Sequence, residues 1–130
     1  MNEAVNNYML LAEECLRDAQ HLLLNKSYRS AAGRAYYAFF DAVRALLATK
    51  NVASKSHSSI KMLFGDHFVR TGPFTKDDAK DFHKLFLLRQ NSDYEADEVV
   101  SEVAAVDAVE TAAEFLLQVE AYLRSISTNL

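Results

Sequence analysis

Ala31-Ala32-Gly33-Arg34-Ala35-Tyr36-Tyr37-Ala38-Phe39-Phe40-Asp41-Ala42-Val43-Arg44-Ala45-Leu46-Leu47 is the stretch that decides the fold. Ala31, Ala32, Ala35, Ala38 and Ala42 form a small-residue surface that lets another backbone approach closely. Tyr36, Tyr37, Phe39, Phe40, Val43, Leu46 and Leu47 supply bulk in the remaining directions. Alanine and leucine favour helix, and a helix that is apolar nearly all round must be enclosed by others, or by a second subunit as well. The spacing predicts a central helix over about Tyr28 to Lys50.

Amphipathic segments flank it on both sides. A first helix is expected from about Glu3 to Leu24, with Tyr8, Leu11, Ala12, Cys15, Leu16, Ala19, Leu22 and Leu23 at three- and four-residue intervals. Asn25-Lys26-Ser27 is the turn between the two. Ser56 or Ser58 caps a shorter helix over about Ser59 to Val69, with Ile60, Leu63, Phe64 and Phe68 inward and Thr71-Gly72-Pro73 as its stop. Thr75 opens a further helix with Asp77 and Asp78 in its first turn, a stripe of Ala79, Phe82, Leu85, Phe86 and Leu88 or Arg89, and a break near Ser92. A last helix is expected from about Asp97 to Ile126, with Val99, Val103, Val106, Val109, Ala113, Leu116, Leu117 and Leu123 inward. No strand pattern or repeat interrupts this series. The expected architecture is all-α: an up-and-down bundle of four main helices with one short accessory helix, as a single domain over residues 1–130.

The chain has three glycines, one proline and one cysteine. Cys15 has no intramolecular disulfide partner and reads as a small buried hydrophobe. With no secretory leader, cytoplasm is the expected compartment. The longest uninterrupted apolar run, Ala35 to Phe40, is too short to cross a bilayer, so no membrane is expected. A net charge of −4 hides segregation: residues 26–70 carry eight cations against two acids, and residues 71–130 carry five cations against twelve acids. The basic middle invites an anionic partner, yet mutual neutralisation of helices inside the bundle accounts for most of it.

No glycine-rich phosphate loop, nucleophile elbow or paired histidine spacing is present. His21, His57, His67 and His83 therefore read as capping or surface groups, and neither metal nor cofactor is expected. What stands out is Leu88-Arg89-Gln90-Asn91-Ser92-Asp93-Tyr94, where an apolar stripe runs into an arginine and a polar cluster. A guanidinium at the edge of a core must find an anion or hydrogen-bond partner, and its planar fork suits phosphate. The alternative is an arginine–carboxylate pair that only ties two helices together.

Three segments together, Ala31 to Phe40, Lys55-Ser56-His57-Ser58 and Leu88 to Tyr94, resemble the HEPN domain family, most closely its short single-domain prokaryotic branch. The resemblance implies an all-α bundle that dimerises with the arginine motifs of both subunits near a shared cleft. It also implies a metal-independent ribonuclease, often a toxin paired with a minimal nucleotidyltransferase. Arg89 matches the family arginine and Gln90 the polar position after it. At the family histidine this chain has Tyr94. Where a modifiable tyrosine lies two positions further on, it has Ala96. A phenol with an ordinary pKa of about 10 is a poor base at neutral pH, although it can donate a hydrogen bond or stack on a base. Asp93 or His57 is then a candidate to assist proton transfer beside Arg89 and Tyr94. Gln90, Asn91, Arg34 and Tyr37 are candidates for holding RNA or a nucleotide. Two functions follow from the resemblance: a toxin–antitoxin or defence ribonuclease with weakened or lost activity, and a non-catalytic homodimer that binds a nucleotide or a partner. A helical dimer whose arginines serve only an interface network is the third.

Overall fold

The computed structural model describes residues 2–94 and 99–127, and of residues 92–94 the backbone alone. Five α-helices follow in order: α1 (Glu3–Leu24), α2 (Tyr28–Ala48), α3 (His57–Phe64), α4 (Lys76–Tyr94) and α5 (Glu102–Ser127). Among the described residues there is no strand. The helical bundle expected from the sequence is the fold observed, with α3 as the short accessory element. No described helix is long and apolar enough to cross a membrane.

Local chemistry sets the ends of these helices. Asn2 caps α1 by accepting from the Val5 N–H at 2.9 Å, and its amide donates to the Ala48 carbonyl at 3.1 Å, tying the start of α1 to the end of α2. The exit of α1 places Lys26 at φ 61°, and the Ser27 and Lys26 N–H groups return to the Leu22 and Leu23 carbonyls. This is the paired hydrogen-bond pattern that satisfies a helix's last carbonyls. The same pattern at Asn51 (φ 58°), with Val52 bonding back to Leu47, stops α2 just short of the expected Lys50. Ser56 is the cap of α3 and accepts from the Ser59 N–H at 3.2 Å. The helix therefore begins at His57, two residues before the expected start. It ends in a π-helical turn over Gly65–Val69 that turns Phe68 into the core. Thr75 and Asp78 cap α4 reciprocally, through the Thr75 N–H to Asp78 at 2.9 Å and the Asp78 N–H to Thr75 at 3.2 Å.

α2 is the central element and packs on α1, α3, α4 and α5. Ala31, Ala35, Ala38, Ala42 and Ala45 are fully buried, as are Ala12 and Ala19 of α1, so these two helices approach without bulk between them. On the other side, Phe39 stacks on Phe115 of α5 at 3.7 Å and on Phe82 of α4 at 5.1 Å. A charge also lies in this helix. Asp41 is buried beside Arg44 at 3.6 Å, and Arg44 donates to the Tyr8 hydroxyl at 3.0 Å and covers its ring. Burial raises the Asp41 carboxyl, and Arg44 opposes that rise.

Several expected details differ. The break near Ser92 is absent from the backbone, because α4 continues to Tyr94. The last helix starts at Glu102, where Ser101 accepts from the Ala104 N–H at 3.1 Å. Its buried face is Ala105, Ala108, Val109, Ala112, Phe115, Leu116, Val119 and Leu123. Val103 and Leu117 fall on the far side of that face and are exposed, as is Val99 before the helix; Leu11 of α1 is likewise exposed. Val109, Leu116 and Leu123 lie inward as expected, and Phe115 with Ala105, Ala108 and Ala112 completes the buried face.

Replacing Phe39 by alanine removes the ring shared by three helices. We expect Phe39→Ala to lower unfolding stability by about 3–5 kcal/mol, read from the urea midpoint.

Candidate functional site: an arginine on a tyrosine–histidine cluster

On α4, Phe82, Phe86 and Arg89 recur at intervals of four and three, so they share the face turned toward α2 and α3. α2 brings Tyr36 to that face. Tyr36 is 2% exposed, and its ring lies within 6.2 Å of Tyr37, Phe40, His57, Phe82 and Phe86. A phenol buried this deeply needs a partner for its hydroxyl. It finds His57 Nδ1 at 2.8 Å. The early start of α3 makes this contact, since it sets His57 in the first turn against α4. There the imidazole stacks flat on Phe86, with ring centres 3.7 Å apart.

Arg89 closes the cluster. Its guanidinium carbon lies 5.0 Å from the Tyr37 ring centre and 5.7 Å from that of Tyr36, within the range of cation–π attraction. Tyr37 is more than a third exposed, so the guanidinium and one tyrosine face share the rim of the site with solvent. Gln90 is half-buried and Asn91 exposed immediately beyond. Lys61 of α3 lies on the other side of His57, its Nζ 3.0 Å from His83 Nδ1.

The electrostatics follow from this packing. Burial pushes the His57 imidazole down to about 4, and the positive charge of Lys61, with His83 and Arg89, adds to the fall. Burial drives the Tyr36 phenol well above its ordinary value, with Arg89 opposing. At neutral pH the site therefore holds a neutral imidazole, a neutral phenol and a permanent cation. The His57 Nε2 is buried with no hydrogen-bond partner among the described residues. Such an atom calls for a functional explanation more often than a surface group does.

The sequence-predicted residues divide accordingly. Arg89, Tyr37 and His57 come together, with Gln90 and Asn91 alongside. The side chains of Asp93 and Tyr94 lie outside the described residues. Arg34 is exposed and lies toward Cys15 of α1, about 160° round the α2 axis from Tyr36. That cysteine's thiol is raised by burial and by Asp41. The expectation that each histidine is a cap or surface group fails for His57, which bonds a buried phenol and stacks on a phenylalanine. Tyr36 and Phe86 were not expected in the site. The signal for both was present: Phe82, Phe86 and Arg89 share one helical face, and Ser56 as cap forces His57 into the first turn.

The depressed imidazole has a consequence for stability. The unfolded chain binds a proton at His57 near pH 6.5 and the folded chain only near 4. Stability from this group is therefore complete above about pH 6.5 and declines as pH falls toward about 4. His57→Gln, which retains an acceptor for Tyr36, is expected to flatten the fall in melting temperature across that window. An unchanged pH profile would count against the buried neutral imidazole.

Comparison with known proteins places this arrangement. A model of the HEPN domain matches residues 5–122. A Methanocaldococcus jannaschii protein named "Putative toxin" is 38% identical over 104 residues, covering 80% of this chain and 78% of its own. A second protein of that organism with the same kind of name is 29% identical over 119 residues, covering 92% and 80%. A Thermotoga maritima protein named as a UPF0332 protein is 41% identical over 83 residues, covering 64% of this chain and 63% of its own. On a match that spans nearly the whole bundle and its arginine-bearing helix, the chain belongs to the HEPN domain family.

Proposed function

We propose that this chain is the toxin-type component of a two-component module and that it acts on RNA through Arg89. The observation that carries the reading is Arg89 held over Tyr37 and Tyr36, beside the neutral His57. A guanidinium braced on aromatic rings keeps its donor fork in one orientation, and so meets a phosphate without first being ordered. The exposed Tyr37 face offers a base a surface to stack on. The names of the two Methanocaldococcus relatives support a toxin, and with it an antitoxin partner. A minimal nucleotidyltransferase is that partner in this reading, and a homodimer brings two arginine motifs to one cleft.

The reaction in this reading is transesterification. The 2′-oxygen bonds to phosphorus as the bond from phosphorus to the 5′-oxygen breaks, leaving a 2′,3′-cyclic phosphate and a 5′-hydroxyl. Arg89 neutralises the charge that builds on the non-bridging oxygens. α4 runs to Tyr94, so residues 93 and 94 follow Arg89 by about one turn. The Asp93 carboxylate takes the 2′-hydroxyl proton, and the Tyr94 phenol protonates the departing oxygen. His57 is a positioning residue, since its free nitrogen is shielded and its Nδ1 holds Tyr36.

Single-stranded RNA incubated in EDTA is expected to yield cyclic-phosphate ends. Arg89→Ala should slow cleavage by about a hundredfold or more, and equal rates for the two proteins would refute the catalytic role. Tyr94→His, which supplies a group with a pKa near neutrality, is expected to raise the rate. A second reading, non-catalytic binding at the same site, is favoured by the shielded His57 Nε2. Its signature is RNA or nucleotide affinity that depends on Arg89, with no turnover in either wild type or Tyr94→His.

A further inference from the structure

Beside the Arg89 cluster lies a groove between α3 and α4 that the chemistry above does not use. Its larger part, about 820 Å³, runs from His57 and Phe86 past Lys61, Met62 and His83 to Asp66. A continuation of about 400 Å³ shares Lys61 and His83 and extends along Lys80, Lys84 and Leu87. His57 and Phe86 belong to both groove and cluster, so the groove opens at the site.

The helix period explains why one wall is cationic. Positions 76, 80, 83 and 87 recur every three or four residues, so Lys76, Lys80, His83 and Leu87 share one face of α4, while Asp77, Asp78 and Asp81 fall off it. Lys61 projects from the opposite wall. Lys84 also reaches Asp107 at 3.1 Å, but that pair is largely exposed (72% and 54%), so a phosphate displaces the carboxylate at little cost. The larger part is lined by Lys61 and Asp66, so the excess of positive charge lies in the continuation, with Lys80 and Lys84. Between the cations lie apolar surfaces: Met62 is 59% exposed, Leu87 is 40% exposed, and Phe86 is half-buried.

We propose that this groove is a track for single-stranded RNA that leads the strand to Arg89, with phosphates on Lys61, Lys80 and Lys84 and bases against Met62, Phe86 and Leu87. It rests on the RNA reading above and extends it to the length and strandedness of the substrate. Lys80 lies nine residues before Arg89, about 14 Å along the axis of α4 and half a turn round it, so a strand that meets both crosses the helix at His57 and Phe86 and reaches well beyond the nucleotides at the scissile bond. Unpaired bases use thioether, aliphatic and aromatic surface between phosphate contacts, and a duplex turns its bases inward and leaves that surface unused. An acidic peptide would satisfy the lysines and leave Met62 and Leu87 in water.

The test is the binding of a labelled ten-nucleotide single-stranded RNA in EDTA, read by fluorescence anisotropy across a salt series. Wild type is compared with the triple variant Lys61→Gln/Lys80→Gln/Lys84→Gln, whose melting temperature verifies its fold. The triple variant is expected to bind about tenfold or more weakly at low salt, with the slope of log affinity against log salt flattened by about 2. Met62→Ser is expected to weaken binding without changing that slope. Unchanged affinity and slope in the triple variant overturn the track. Equal competition by polyglutamate of matched charge overturns the RNA assignment in favour of an acidic peptide, and equal affinity for a duplex overturns the single strand. Binding is read without turnover, so absence of cleavage refutes the Arg89 chemistry alone, and the anisotropy still decides the groove.

Discussion

α2 turns little more than Arg29, Ser30, Arg34 and Tyr37 to water, and the rest of the molecule answers that constraint. Its alanines permit close approach on one side, and α1 takes that side with its own alanines. Its phenylalanines need flat partners on the other, and Phe115 and Phe82 supply them from α5 and α4. Tyr36, like the buried Asp41, is an exception in this helix, because its ring belongs in the core and its hydroxyl does not. A buried hydroxyl without a partner costs roughly 1–3 kcal/mol, and His57 removes that cost.

The satisfaction of one phenol thereby fixes the site. To reach Tyr36, His57 must stand in the first turn of α3 with its ring on Phe86, and Phe86 lies three residues before Arg89 on α4. Packing requirements of the core thus set the position of the guanidinium to within a helical turn. The same burial holds the imidazole neutral, leaving Arg89 as the fixed charge of the cluster. His57 and Arg89 are thus held by contacts of the core itself, the one stacked on Phe86 and the other over Tyr37 and Tyr36.

Charge is arranged on a different principle. Several cations of the middle segment contact groups other than the acids of neighbouring helices. Lys50 donates to the His67 carbonyl at 2.9 Å and lies over the Phe68 ring, Lys61 meets His83, and Arg44 pairs with Asp41 of its own helix. Of these, Lys61 lines the groove between α3 and α4, while Arg44 lies on Tyr8 of α1. The positive groove is thus compatible with an overall acidic chain.

The all-α class, the order of the helices and the central place of α2 were legible in the sequence, because a 3.6-residue apolar period and the capping residues are local properties. So was Arg89, since a guanidinium at the edge of an apolar stripe is conspicuous in one dimension. The phase of α5 was legible only in part: Val109, Leu116 and Leu123 face inward as expected, but Val103 and Leu117 do not, and the fit of Phe115 against Phe39 selects among them. The role of His57 was equally hidden. It lies 21 residues from Tyr36 and 29 from Phe86, and their meeting depends on how three helices pack. Sequence by itself determined which segments are helical and which residue carries the cation. Tertiary structure alone decided what surrounds that cation, because burial and hydrogen-bond satisfaction are set by packing between helices and not by spacing within one.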